Sequence, residues 1–188
     1  MSVKKAKKIL ARGGVAVLPT DTIYGIHALA FNKKAVKKVY ELKKRGSKKP
    51  FIILVSSIAD LKKFKIEIDT KTKNFLKKNW PAKLSVILPC PAQEFKYLHR
   101  GKKSLAFRIP AKKDLASLLE KVGPLISTSV NPEGLAPAKT IKEAKKYFKD
   151  KIDIYIDQGS LDSEPSTVIK IENQKIKVLR KGKLNLGG

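Results

Sequence analysis

Five arginines stand apart in a chain whose positive charge is otherwise carried by lysine. Of the 42 lysine and arginine residues, all but five are lysine. A guanidinium group forms two parallel hydrogen bonds with a carboxylate or phosphate, whereas an ammonium group is a flexible point charge. Retained arginines therefore favour a site for an anionic substrate, unless arginine is simply rare and these five are scattered by chance. They are Arg12, Arg45, Arg100, Arg108 and Arg180.

Polar segments follow several of the apolar runs, where strand ends commonly build binding sites. Together they offer cations, hydroxyl groups and an amide, with few carboxylates. This set of side chains suits a phosphate-rich anion that is held by hydrogen bonds and positioned for group transfer. The alternative for each segment alone is an ordinary turn or a solvated basic loop. The segments are 19–25, 43–50, 104–110, 127–134, and 165–167 together with 179–180.

Several common catalytic devices are missing from the sequence. It has no Walker A loop, no Gly-x-Gly-x-x-Gly motif and no kinase motif set. Two histidines and one cysteine, far apart, cannot form a usual zinc site, so we expect no metal ligands among the protein side chains. His27 and His99 are interpreted as surface or hydrogen-bonded structural histidines, although either could act singly.

The apolar periodicity predicts the elements that must position these segments. Helices are expected from Val3, from about Lys33 to Leu42, and around 115–122, with capped helices after Ser57, Asp69 and Thr140. Strands are expected at 15–18, 51–55, 84–88, 104–109, 125–126, 152–157, 166–171 and 175–179. The order mixes βα units with strand pairs, which predicts an α/β (α+β) fold with a twisted mixed sheet covered by helices.

Length, charge and cysteine content limit the class of protein. The 188 residues fit a single domain, 1–188, with a flexible tail at 183–188. No apolar run approaches the length of a membrane span, and no secretory signal is evident. The single Cys90 excludes an internal disulfide. We therefore expect a cytoplasmic protein without a membrane partner. The net charge of +26 would attract RNA, although paired lysines on helices are more typical of a solvated surface.

Seven motifs occur in a fixed order along the chain. They are Pro19-Thr20-Asp21-Thr22-x-Tyr24-Gly25, Lys43-x-Arg45 with Lys49-Pro50, Trp80-Pro81, Phe107-Arg108-Ile109-Pro110, Ser127-Thr128-Ser129-x-Asn131, Pro165-Ser166-Thr167-Val168, and Leu179-Arg180-x-Gly182. As an ordered set they resemble the YrdC-like family of threonylcarbamoyl-AMP synthases. The resemblance implies a YrdC-like domain with a basic concave ligand face.

The resemblance also implies a reaction. Such enzymes make threonylcarbamoyl-adenylate and pyrophosphate from L-threonine, bicarbonate and ATP, with Mg²⁺ bound through the phosphates. The product supplies the threonylcarbamoyl group for adenosine 37 of tRNA, so tRNA or downstream transfer proteins become possible partners. No protein nucleophile is needed, and catalysis would rest on positioning and electrostatics.

Roles for single residues follow from the matching motifs. The resemblance implies that L-threonine is bound by Thr22, Arg108, Ser129 and Ser166, with Arg108 on its carboxylate. ATP would be bound by Lys43, Arg45, Lys49, Ser104, Asn131 and Arg180. Catalytic positioning would fall to Lys43, Arg45, Ser129 and Asn131.

One departure from the family pattern keeps other functions open. Many members have a histidine that contacts threonine where this chain has Leu54. One alternative is a paralogue that acts on another amino acid or carbamoyl compound. Another is a non-catalytic RNA-binding or ribosome-associated protein of the same fold, for which the charge is the motive.

Overall fold

A single twisted sheet forms the centre of the molecule. The computed structural model describes residues 3–44, 49–172, 175–182 and 184. Within them, nine strands pair in the order β7-β1-β2-β6-β3-β5-β4-β8-β9, with both parallel and antiparallel neighbours. The mixed sheet predicted from the sequence is therefore confirmed. The strands are β1 Ala16–Pro19, β2 Tyr24–Leu29, β3 Ile52–Leu54, β4 Leu84–Pro89, β5 Ser104–Arg108, β6 Leu125–Ser129, β7 Ile154–Tyr155, β8 Thr167–Glu172 and β9 Lys175–Arg180.

Helices pack on both faces of this sheet. Those in the described residues are α1 Val3–Ala11, α2 Lys33–Lys43, α3 Thr70–Asn79, α4 Lys96–His99, α5 Lys113–Val122 and α6 Ile141–Phe148. A 3₁₀ helix spans Ile58–Phe64, and short 3₁₀ turns span Gln93–Phe95 and Lys149–Lys151. No helix among the described residues has the length and apolar composition needed to cross a bilayer.

Most predicted helix starts are confirmed by their caps. The side chain of Asp69 accepts a hydrogen bond from the Thr72 amide, and Ser57 begins the 3₁₀ helix with a reciprocal cap from Asp60. At α6 the expected capping box forms only in part. Thr140 accepts from the Glu143 amide, but the Glu143 carboxylate accepts from the Lys139 amide, one residue earlier than the box requires.

The two faces of the sheet carry separate apolar clusters because side chains alternate along each strand. The larger cluster packs β1, β2, β4 and β5 against α2, α3, α6 and the 3₁₀ helix. The smaller cluster joins residues of α1 and α5 to the alternate positions, including Ala16, Leu18 and Leu54. Strand register puts Gly25, Ser127 and Ala106 on this second face, beyond the part that α1 and α5 cover.

Two strands differ from the sequence-based expectation. The sequence predicts no strand at Tyr24–Leu29, yet this range forms β2, paired antiparallel with β1 and β6. Gly25 and His27 interrupt the apolar pattern that is typical of a strand. Backbone hydrogen bonds to two neighbouring strands stabilise the extended conformation despite this weak local preference. Strand β6 also extends to Ser129, beyond the strand predicted at 125–126. The predicted flexible tail lies outside the described residues except for Leu184, whose carbonyl accepts a hydrogen bond from Thr167.

Candidate functional site

A cavity of about 830 Å³ opens on the second face of the sheet. Strands β2, β3, β4, β5, β6, β8 and β9 all contribute to its walls, so residues far apart in sequence meet there. Five of its lining residues are basic, and Asp162 also lies in the wall. Of the predicted site residues, the wall contains Thr22, Ser104, Arg108, Ser129, Ser166 and Arg180.

Arg108 sits at the end of β5 and is buried, with 4% of its surface exposed. Its guanidinium forms a buried ion pair with the Asp21 carboxylate, and Nη1 donates to Thr22 Oγ1 at 3.3 Å. Nε donates to the Ala82 carbonyl oxygen at 3.2 Å. These three contacts hold the fork rigidly at the cavity wall. A ligand carboxylate that reaches Arg108 must share or displace the Asp21 contact.

Arg180 approaches the same cavity from β9. Its Nε and Nη2 donate to the Ser166 carbonyl oxygen at 3.1 and 2.8 Å, and Nη2 also donates to Ser166 Oγ at 3.2 Å. Burial lowers the pKa of Arg180, and the positive charge of Arg108 lowers it further. Two neighbouring cations repel each other, so an anion between them would be stabilised by both.

Gly182 holds the segment around Ser166 close to the chain that follows β9. A Cβ on Gly182 would lie 2.3 Å from the Pro165 carbonyl oxygen and 2.7 Å from the Thr167 nitrogen. Both are backbone atoms of a packed segment, which cannot move as a side-chain tip can.

We expect Gly182→Ala to displace residues 165–167 and to lower the free energy of unfolding by about 1–3 kcal/mol. Urea denaturation measures this change. Gly101→Ala is the comparison variant: Gly101 has a left-handed backbone but open space around an added Cβ, so this variant shows the cost of replacing a glycine without crowding. Equal stability of Gly182→Ala and wild type would show that the segment tolerates displacement.

Lys43, Ser129 and Asn131 form one hydrogen-bonded cluster behind the cavity wall. The Lys43 ammonium, with 2% of the residue exposed, donates to the Ser129 carbonyl oxygen at 2.7 Å and to Asn131 Oδ1 at 2.9 Å. Ser129 Oγ donates to the same Oδ1 at 2.6 Å. Of the three residues, Ser129 lines the cavity. In this conformation Lys43 therefore orients Ser129 and Asn131.

The remaining predicted phosphate ligands lie elsewhere. Arg45 falls outside the described residues. Lys49 is more exposed, and its ammonium pairs with the Glu133 carboxylate. Ser104, at the start of β5, lines the cavity beside Lys102 and Lys170. Leu54 is buried in the smaller apolar cluster and pairs in register with Arg108.

The structure adds residues that the motif comparison left without a role. Asp21 and Tyr24 belong to the first motif: Asp21 pairs with Arg108, while the Tyr24 hydroxyl donates to the Gly159 carbonyl oxygen at 2.8 Å. Lys139 lines the cavity and pairs with Asp162 at 3.0 Å. Isolated lysines in a lysine-rich sequence carry no signal, so such residues could be found only in three dimensions. Among the described residues, no group of three or more His, Cys, Asp or Glu side chains could hold a metal ion.

The interpretation of His27 as a surface or hydrogen-bonded histidine is wrong. His27 is completely buried, and neither ring nitrogen has a hydrogen-bond partner among the described residues. His99 is buried too, but its Nδ1 accepts from the Gly101 amide at 3.1 Å. Burial lowers the pKa of His27 to about 4; the Ile126 backbone partly offsets this, and the charge of Arg108 adds to it.

This low pKa predicts an acid-sensitive fold. Between the folded pKa of about 4 and the ordinary value of 6.5, the unfolded chain binds a proton that the folded chain excludes, so stability is lost as pH falls. We expect the free energy of unfolding to drop by about 2 kcal/mol from His27 between about pH 7 and pH 5. Urea denaturation at both pH values should show a smaller drop in His27→Gln. An equal drop in both proteins would assign the acid sensitivity to other groups.

The fold and this cavity define a family. Residues 8–182 match the model of the Sua5, YciO and YrdC family, which is described as "Telomere recombination". The chain belongs to this family. The resemblance drawn from the seven motifs is thereby confirmed.

Individual relatives agree with the assignment. A Methanocaldococcus jannaschii protein is 35% identical over 177 residues, which cover 94% of this chain and 83% of the relative. A Marinobacter nauticus protein named threonylcarbamoyl-AMP synthase is 31% identical and covers 88% of this chain and 89% of the relative. The crystal structure of P. abyssi Sua5 complexed with L-threonine is 29% identical, with a TM-score of 0.89. That match covers 98% of this chain but 55% of the Sua5 chain, so this chain spans little more than half of that relative.

Proposed function

We propose that the chain is a threonylcarbamoyl-AMP synthase, a nucleotidyltransferase that makes threonylcarbamoyl-adenylate and pyrophosphate from L-threonine, bicarbonate and ATP. One observation carries the proposal: a single cavity brings Arg108 and Arg180 together with the hydroxyl groups of Thr22, Ser129 and Ser166. The names of the relatives support the same activity. A cavity of about 830 Å³ also falls within the range of about 300–1,000 Å³ usual for small-ligand sites.

The amino acid is placed at Arg108 in this proposal. Its carboxylate meets the guanidinium beside Asp21 and Thr22, and the hydroxyl groups of Ser129 and Ser166 hold the rest of the molecule. Arg108 is anchored by the Ala82 carbonyl and by Asp21, so little side-chain entropy is lost when a ligand binds.

The nucleotide occupies the part of the cavity lined by Ser104 and Arg180. Lys49, which follows the Lys43 cluster in sequence, reaches the phosphates from the outside, and Arg45 keeps its role as a phosphate ligand on the ground of its motif alone. Lys43 and Asn131 act through Ser129 in the conformation observed, and on ligand binding the ammonium turns toward the phosphates. Mg²⁺ would enter with the triphosphate as part of the substrate and would supply positive charge that offsets the charge on the leaving pyrophosphate.

The chemistry requires two bond-forming steps. The threonine amine attacks bicarbonate carbon, water leaves, and an N-carboxylate forms. A carbamate oxygen then attacks the α-phosphorus in line, while the bond from that phosphorus to the bridging oxygen of the β-phosphate breaks and pyrophosphate departs. Carbamate and triphosphate are both anions, so their mutual repulsion opposes the second step. Arg108 and Arg180 reduce that repulsion and align the reactants.

The test is the release of pyrophosphate from ATP in the presence of bicarbonate and Mg²⁺. We expect release to depend on L-threonine and labelled bicarbonate to appear in a nucleotide product. Serine and valine test the alternative of another amino-acid substrate, for which Leu54 beside Arg108 is the motive. Release without any amino-acid dependence, or no release at all, would contradict the proposal.

Non-catalytic RNA binding is a second candidate, favoured by the net charge of +26. It requires tight binding to RNA that weakens steeply as salt rises, because released counterions drive such binding. RNA binding in a protein that releases no pyrophosphate would support this function. If the enzyme is active, tRNA and the proteins that transfer the threonylcarbamoyl group are the proposed downstream partners, and a cytoplasmic location is proposed with them.

A further inference from the structure

His27 is a buried polar group that the reaction as proposed does not use. It lies on β2, and both of its ring nitrogens lack a partner among the described residues. Buried imidazole nitrogens are nearly always hydrogen-bonded in folded proteins, because an unpaired one forfeits its bond to water. An exception beside a ligand cavity therefore points to a functional contact.

The edge of the ring that carries Nε2 faces the cavity wall. A Cβ on Gly25 would lie 2.5 Å from Nε2 of His27 and 3.3 Å from Oγ of Ser127. Gly25 and Ser127 both line the cavity. His27 and Ser127 are also direct cross-strand partners between β2 and β6, on the same face of the sheet. Such partners have Cβ atoms about 4.5–5.5 Å apart, which puts the serine hydroxyl within reach of the ring after a side-chain rotation.

The ring is neutral under ordinary conditions, since burial holds its pKa at about 4. A neutral imidazole has one nitrogen that donates and one that accepts a hydrogen bond. Nε2 is the nitrogen near Gly25 and Ser127, so with the proton on Nδ1 it is Nε2 that accepts.

We propose that His27 is a positioning residue that accepts the hydroxyl proton of Ser127 at Nε2 and so turns the lone pairs of Ser127 Oγ toward the cavity. Ser127 then accepts a hydrogen bond from an N–H or O–H group of the bound amino acid. The identity of that ligand rests on the proposed function, whereas the pairing of His27 with Ser127 does not. Gly25 is required for the same reason, because any side chain there would occupy the space of the ring.

The pairing is tested by nitrogen NMR on protein with labelled histidine. The chain has two histidines, so His27 and His99 give separate, assignable ring signals. We expect His27 to show the tautomer protonated at Nδ1, and Ser127→Ala to shift its Nε2 signal while leaving that of His99 unchanged. A proton on Nε2, or an Nε2 signal that Ser127→Ala does not move, would overturn the proposal.

Kinetics tests the consequence for the ligand. The loss of one hydrogen bond predicts a rise of about three- to tenfold in the KM for L-threonine in Ser127→Ala and His27→Leu, with the KM for ATP unchanged. His27→Gln keeps an acceptor near the Nε2 position and should restore most of the threonine affinity, which a purely structural role would not predict. Equal threonine KM values in His27→Leu and wild type would contradict the proposal. If wild type shows no threonine-dependent release, the proposed function fails, and the NMR result still decides the pairing.

Discussion

Arg108→Lys is expected to raise the KM for L-threonine by about ten- to a hundredfold, with the KM for ATP close to that of wild type. Lysine keeps the charge opposite Asp21 but loses the planar fork that reaches Ala82, Thr22 and Asp21 at once. Each charge-assisted hydrogen bond contributes about 1.5–3 kcal/mol, and a point charge replaces only one of them. Pyrophosphate release measured against threonine and against ATP separates the two constants.

A matched control for this prediction is Arg12→Lys. Arg12 is exposed after α1 and lies outside the cavity wall. Its replacement makes the same chemical change without touching the site, so both constants should stay unchanged. A normal threonine KM in Arg108→Lys would show that Arg108 does not bind the threonine carboxylate. An equal rise in KM in both variants would show that replacing arginine by lysine changes KM even outside the site.

The second large effect is expected from Lys43→Met. The substitution removes the ammonium that bonds the Ser129 carbonyl oxygen and Asn131 Oδ1 while preserving an apolar chain of similar length. Ser129 then loses its fixed orientation at the cavity wall, and under the proposed function the nucleotide loses a cation. We expect kcat/KM for ATP to fall by about a hundredfold or more, as is typical when a group that stabilises developing charge is removed.

Stability distinguishes a local effect at Lys43 from a general one. Two acceptors lose a buried partner, although methionine also avoids the cost of burying a charge, so the free energy of unfolding should fall by about 1–3 kcal/mol. Lys34→Met, at an exposed position of the same helix, is the control and should change neither activity nor stability. An ATP dependence in Lys43→Met equal to that of Lys34→Met would contradict the assigned role.

The five arginines show how far sequence reasoning reached. Their rarity among lysines indicated an anion site, and Arg108 and Arg180 indeed meet in one cavity. Arg12 and Arg100 lie outside its wall, and Arg45 lies outside the described residues. Rarity therefore marked candidates but could not separate a cavity arginine from Arg100, which lies over the Tyr40 ring at a helix end. The ordered motifs made that separation, because Arg108 and Arg180 belong to motifs and Arg12 and Arg100 do not.

The sequence by itself determined the family, the mixed sheet and most helix boundaries, since these depend on apolar periodicity, caps and ordered motifs that are local in the chain. Tertiary structure alone decided the partners of the site residues. It paired Arg108 with Asp21, put Lys43 behind Ser129, and set His27 against Gly25 and Ser127. Those contacts depend on which strands become neighbours. Strand β2 had no clear local signal and acquires its form from pairing with β1 and β6, so the environment of His27 exists only once the sheet is assembled.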